Sequence, residues 1–447
     1  MFLLMYASDM DKRLIDEDWK YLCQYLPEDL SELAKATGTV KRWRHVKNGE
    51  ELLRLILAYA IEDLSLRSTA AWSTQAALEL KDTSVLHRLR HAPPLLEKVL
   101  AHLRTQRLRA EAAPGPTFRI NDATVLSIPG SEGTDWRLHA VYDPAQCCLR
   151  GVEITDHRGG ERLDRDRPQP GDIVCGDRGL AHARGIHAVT EAGAHVLLRM
   201  HWQNIRLHNA QGQAVDMDQT LKRADLGDAG TIAYVPLEGK TPVPVRLLSR
   251  PLPTEAANRN RQRLRRNAAK KGRIPSATAL RLAGYFCVLT TLPEGLASDD
   301  VVLELYRVRW QIELFFKRCK GLLHFDQLRA FDTHLVRTYC LAKLIEVALI
   351  QCLHDEAIAF SPWGVPRCRS RAAQFVATGA PAALRLDPGD LRSPRLVRPA
   401  APVAQGATGS YRGTSETSLP PRKASTVGRR TYQPTPPCTT RSHRKIE

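Results

Sequence analysis

The stretch Tyr306-Arg307-Val308-Arg309-Trp310-Gln311-Ile312-Glu313-Leu314-Phe315-Phe316-Lys317-Arg318-Cys319-Lys320 decides how the rest of the chain is read. It reads as one helix, capped at Ser298, with Asp299 and Asp300 in a first turn where the helix dipole favours negative charge. At about 100° per residue, Arg309, Glu313 and Lys320 fall near Tyr306, while Val301, Val308, Ile312, Phe315 and Cys319 gather on the opposite side. One face is apolar. The other lines up an aromatic hydroxyl, a guanidinium, a carboxylate and an ammonium. Charge alone on such a face fits an ordinary solvated helix, so the rest of the chain has to decide.

The chain has 447 residues and a net charge of +17, a length that implies two or three domains and a charge that implies a polyanionic partner. Nucleic acid fits better than a membrane surface. The apolar start Met1–Tyr6 is too short for a signal segment, and the greasy run from Tyr339 to Leu353 is interrupted by Lys343 and Glu346, short of the ~20 apolar residues of a spanning helix. No membrane association is expected, and the protein is placed in the cytoplasm, at the bacterial nucleoid. The ten cysteines include no C-x-x-C pair, so zinc-ribbon and thioredoxin-like chemistry is excluded and buried free thiols are expected.

Four blocks are expected along the chain. Residues 1–110 read as a helical DNA-binding domain. It has an apolar-periodic helix over 50–60, a second started by Ser65, and a basic third one capped by Thr83 or Ser84 that presents His87, Arg88, Arg90 and His91. Lys35 and Lys41-Arg42-Trp43-Arg44-His45 add a basic cluster suited to phosphates. Glu111–Pro116 reads as a linker. Residues 111–200 and 296–360 read as a mixed α/β layer. Thr117–Ile120, Trp136–Tyr142 and Cys148–Ile154 form an antiparallel meander, Asp172–Cys175 a strand, 182–192 a helix and Ala194–Arg199 a further strand. A helix over 332–359 is expected to pack on that sheet. Residues 201–295 read as a β-rich insertion with strands at Thr231–Val235, Val243–Leu248 and Tyr285–Thr290, the second confined to an edge by Pro244. Inside it, Asn258–Arg273 holds eight basic residues and no acid, and reads as a mobile phosphate clamp. Residues 361–447 carry eleven of the net positive charges without apolar periodicity, and read as a disordered basic tail or a frameshifted end. The expected class is α/β: a ribonuclease-H-like mixed sheet flanked by helices, with the insertion, the helical front and the tail attached.

Three acids stand out. Asp122 ends the first strand run, Asp177 follows the strand ending at Cys175 within Gly176-Asp177-Arg178-Gly179, and Glu313 sits on the polar helix face. Carboxylates distant in sequence but borne on neighbouring elements can converge on hard cations such as Mg²⁺ or Mn²⁺. Two such ions ~3.5–4 Å apart serve in-line phosphoryl displacement.

Asn121-Asp122-Ala123-Thr124, Gly176-Asp177-Arg178-Gly179 and Tyr306-x2-Arg309-x3-Glu313-x6-Lys320 resemble the three signature regions of DDE transposases of the insertion-sequence-4 family, and the resemblance spans roughly residues 30–350. It implies a ribonuclease-H-like core and cut-and-paste transposition at inverted-repeat ends. Asp122, Asp177 and Glu313 would hold two Mg²⁺ ions, with Mn²⁺ as a substitute. Tyr306, Arg309 and Lys320 would contact phosphates near the element's end, with Arg178 beside them. The resemblance further implies a hairpin step with a flipped base held by aromatics, for which Trp310 is one candidate and Phe286 or Tyr285 another. Double-stranded DNA, as element ends and target, is the implied partner, bound by a homodimer. Two other functions suit the residues: a catalytically inactive, transposase-derived DNA-binding protein, and a nuclease without strand transfer.

Overall fold

The computed structural model describes residues 12–359 apart from 77, 111–115, 132, 228 and 229. The apolar start, nearly all of the expected linker and the basic tail therefore lie outside the described residues. Six helices come first: α1 (Lys12–Cys23), α2 (Leu30–Ala36), α3 (Gly49–Ile61), α4 (Leu66–Gln75), α5 (Asp82–His91) and α6 (Pro93–Ala110). Their starts follow from capping chemistry. Asn48 Oδ1 accepts the Glu51 N–H at 2.8 Å, and the Glu51 carboxylate accepts the Lys47 N–H in return. Ser65 Oγ caps α4 through the Ser68 N–H. Helix α5 begins at Asp82, before Thr83 and Ser84, and Lys81 precedes it without a side-chain cap.

The sheet opens with the expected meander, β1 (Phe118–Leu126), β2 (Trp136–Asp143) and β3 (Cys148–Asp156), turned at Asp143, whose Oδ1 accepts the Ala145 and Gln146 N–H groups. Strand β4 (Ile173–Gly176) pairs parallel with β1, α7 (Ala183–Glu191) crosses over, and β5 (His195–Arg199) pairs parallel with β4. Residues 201–295 then form α8 (Met217–Asp225), β6 (Gly230–Leu237), β7 (Lys240–Pro251), α9 (Thr254–Ala269), α10 (Ala277–Leu282) and β8 (Tyr285–Thr290). Their strands continue the main sheet: β8 pairs with β5, giving eight strands in the order β3-β2-β1-β4-β5-β8-β7-β6. Two expectations change here. Strand β7 lies inside the sheet, yet Pro244 is paired only with Tyr234 of β6, because the β8 ladder starts at Arg246; the missing N–H sits on a local edge. The basic run is mostly the helix α9.

Alternation along the strands builds a core on each face. On one side Phe118, Ile120, Ile173, Cys175 and Leu197 pack with the N-terminal helices and with α11 (Asp299–Arg307), α12 (Trp310–Leu323) and α13 (Thr333–Ala359). On the other side Val174, Val196 and Leu198 pack with Ile186 and Val189 of α7. The expected single helix over 298–320 is two helices. Between them the backbone tightens to three-residue hydrogen bonds, Arg309 N–H to the Tyr306 carbonyl and Gln311 N–H to the Val308 carbonyl. The tight turn aims Tyr306 into the core, while the Arg309 guanidinium reaches β1. Helix α13 packs on α3, α5 and α6 of the helical front and also on β3, and its Leu341, Leu344 and Ile345 share one core with the sheet. Among the described residues no cysteine forms a disulfide, and Cys147 alone is exposed. No helix among them is long and apolar enough to cross a membrane.

Candidate active site

Register explains how the first two acids meet. The parallel ladder between β1 and β4 ends with Asn121 opposite Gly176. One step further, Asp122 and Asp177 stand side by side. Asp122 is not at the end of its strand, as the sequence suggested, since β1 continues along β2 to Leu126. It is at the end of the ladder with β4, the position where parallel strands present side chains to ligands.

Asp122 Oδ1 accepts the Ala123 N–H, and Asp177 Oδ1 accepts the Gly179 N–H at 2.7 Å and, more weakly, that of Leu180. Burial pushes the Asp122 carboxyl up to about 7, with Asp177 and Glu161 adding to the rise and the Ala123 bond and Arg309 opposing it.

Glu313 reaches this pair through Arg309. The guanidinium lies 3.6 Å from Asp122 Oδ2 and is bonded to Glu313 Oε1 one helical turn on. Lys320, on the same helix, donates to the Val125 carbonyl at 3.2 Å and so is held at the far end of β1.

Tyr306 is buried and its hydroxyl has no hydrogen-bond partner; burial raises that hydroxyl above its ordinary range. Its ring meets Phe286 edge-on at 5.5 Å, Arg309 lies over it, and Arg199 lies over Phe286 at 5.4 Å. A cation–ring ladder, Arg199-Phe286-Tyr306-Arg309, thus runs beside the acids. Arg178 joins it: burial lowers its basicity and the neighbouring Arg199 charge adds to this. Arg199 Nε and His201 Nδ1 are buried without partners.

Of the aromatic candidates, Trp310 is 56% exposed, Phe286 is part of the ladder, and Tyr285 points into the opposite core with its hydroxyl on Asp225. Arg199, His201 and Glu161 were missed by sequence reasoning. A cue existed for Arg199, a lone cation closing an apolar parallel strand.

Among the described residues no three Asp, Glu, His or Cys side chains are grouped closely enough to hold a metal ion as they stand. The donor chemistry fits a hard divalent cation all the same. The donors are carboxylate oxygens, Asp122 and Asp177 share one ladder end, and Gly179 leaves a cradle in which an added Cβ would sit 2.4 Å from Glu161 Oε2 and 3.2 Å from Asp177 Oδ1.

A family model described as a transposase DDE domain matches residues 113–346. The chain is 35% identical over 356 residues to the putative transposase InsL for insertion sequence element IS186A of Escherichia coli strain K12, covering 77% of this chain and 96% of that one. It is 34% identical over 357 residues to the transposase for IS421 of Escherichia coli, with the same coverage, and 22% identical over 375 residues to the transposase for IS231B of Bacillus thuringiensis subsp. berliner, covering 73% and 77%. The eight-stranded mixed sheet flanked by helices is consistent with the ribonuclease-H-like layer of such domains. By the domain match and by identity over nearly the whole length of its Escherichia coli relatives, the chain belongs to the DDE transposases of the insertion-sequence-4 family, DNA-cleaving and strand-transferring enzymes that move insertion sequences.

Proposed function

We propose that the chain moves its element by cut-and-paste, with Asp122, Asp177 and Glu313 holding a pair of Mg²⁺ ions, replaceable by Mn²⁺, at the scissile phosphate. The observation that carries this reading is the side-by-side stand of Asp122 and Asp177 at the ladder end, with Arg309 joining Asp122 to Glu313. Bound there, such ions would supply Lewis-acid activation for a water or a 3′-hydroxyl and charge stabilisation for the leaving oxygen.

The chain's own groups do the rest. Arg309 offers a guanidinium to a phosphate that competes for it with Glu313. The unpartnered Tyr306 hydroxyl, with Arg178 and Arg199, supplies donors beside the acids. Lys320 positions a flanking phosphate from the end of β1. Trp310 is open to a base turned out of the duplex. Helices α3 to α5, with the basic residues of α5, read the repeat. The exposed cations of α9 follow the backbone. Two copies hold the paired ends. The domain reading follows: residues 1–110 bind DNA, 111–200 with 296–360 catalyse, and 201–295 form an insertion between the second and third acids.

Asp122→Ala or Glu313→Ala abolishes strand cleavage of an inverted-repeat end in Mg²⁺ while end binding, read by gel shift, stays within about threefold. Cleavage surviving in either variant would sink this reading. A second reading, an inactive DNA-binding relative, is favoured by the Arg309 bridge, which occupies two of the three acids. It predicts no cleavage or strand transfer from pre-nicked ends even in Mn²⁺.

A further inference from the structure

Glu161 lies between β3 and β4, outside the three signature regions. The backbone around it is pinned on both sides. Arg137 donates to the Gly159 carbonyl at 2.8 Å and Arg165 to the Gly160 carbonyl at 3.0 Å. Two residues on, Leu163 is fully buried against Gly185 of α7, where an added Cβ would meet Leu163 Cβ at 3.0 Å. This anchoring presents Glu161 towards Asp177 across Gly179, whose missing Cβ leaves the space that Glu161 Oε2 and Asp177 Oδ1 share. Among the described residues no hydrogen bond or ion pair holds the Glu161 carboxylate; the Arg137 guanidinium is close enough to offset part of its charge but donates through Nη1 to the Gly159 carbonyl. Placing a half-buried carboxylate beside two others costs free energy unless a cation enters. The Tyr306 hydroxyl, buried and unpartnered, lies near enough to Asp177 to feel its charge.

We propose that Glu161 is a fourth carboxylate of the cation site, beside Asp177 across Gly179. Resting on the metal reading above, this assigns Glu161 to the divalent ion that Asp122 and Asp177 share, leaving Glu313 to exchange between that ion and Arg309. Gly179 is then required as a glycine, since any side chain there pushes the Glu161 carboxylate away.

The test is Mn²⁺ binding by the full chain without DNA, followed by the electron paramagnetic resonance signal of free Mn²⁺, with melting temperature in EDTA as the folding control. Glu161→Gln is expected to weaken Mn²⁺ binding by at least about tenfold, and Gly179→Ala to weaken it likewise while keeping every charge. Glu161→Asp recovers part of the loss. Asp122→Asn separates the two claims. If Asp122→Asn loses binding while Glu161→Gln stays within about twofold of wild type, the assignment of Glu161 is overturned and the metal reading stands. If wild type binds no Mn²⁺, or Asp122→Asn binds as wild type does, both are overturned. Should Glu161→Gln melt early in EDTA, Gly179→Ala alone decides.

Discussion

Asp122 carries a carboxyl that burial lifts from 3.8 to about 7, with Asp177 and Glu161 adding to the rise. Between those two values the folded chain binds more protons at this site than the unfolded chain, so the group lowers stability as pH rises through that window. Asp122→Asn removes the penalty. Its melting temperature is expected to match wild type near pH 4 and to exceed it by about 2–5 °C at pH 8. A gap that stays flat with pH would remove Asp122 as the cause. On the proposed metal reading, protons compete with the cation for the ionised carboxyl, so Mn²⁺ affinity of the DNA-free chain is expected to weaken as pH falls below about 7. Residue identities at this scale were legible, since the acids and the Tyr306 to Lys320 spacing are visible in a string of letters. The contacts were not. Tyr306 looked solvent-facing because a straight helix was assumed, and Glu161 was invisible because only tertiary folding brings the β3–β4 connection beside Gly179.

Elements were legible wherever local chemistry and packing agree. The meander, α7 and the capped helices of the front follow from alternation, turns and caps. Helix α9 did not follow, because it has almost no apolar face: Ala257 is its buried residue, the half-buried Ala256, Leu264 and Ala268 add a little apolar contact, and Asn260 and Arg261 donate to the Ala283 and Leu280 carbonyls. Arginine and alanine favour the helix all the same, and that intrinsic preference decides the conformation of a nearly solvated element. The consequence is geometric. Arg259, Arg263, Arg266 and Lys270 recur at spacings of three and four, so one exposed side of α9 is a cationic row, with Lys270 just past its end. Changing Arg263, Arg266 and Lys270 to alanine should weaken DNA binding for repeat and unrelated sequences alike, and flatten the plot of log K against log salt by about 2–3. A slope left unchanged would take α9 away from the phosphates. The break between α11 and α12 was likewise hidden, because Val308 and Arg309 keep helical dihedrals and only their hydrogen bonds tighten.

At the scale of the molecule, the helical front is not a bead on a string. Its core is continuous with the α13 side of the sheet. A buried polar knot fastens the junction. Lys343 donates to the Leu323 carbonyl at the end of α12, pairs with Asp63 at 3.4 Å and lies over Tyr339, whose hydroxyl also bonds Asp63. Lys343→Met strands that carbonyl and leaves Asp63 without its cation, held among the described residues by the Tyr339 hydroxyl alone. With Asp63 partly exposed, the expected cost is about 2–3 kcal/mol, read as an earlier thermal transition, and Asp63→Asn in the same chain should recover part of it. Lys343 and Glu346 appeared in the sequence only as interruptions of a greasy run, since nothing local names a partner hundreds of residues away. That distance has a consequence in time. Thr338 Oγ donates to the Leu89 carbonyl 249 residues earlier. At ribosomal speeds of about 5–20 residues per second, α3, α5 and α6 emerge tens of seconds before the helix that covers them. The part of the chain made first is thus among the last to acquire its final form.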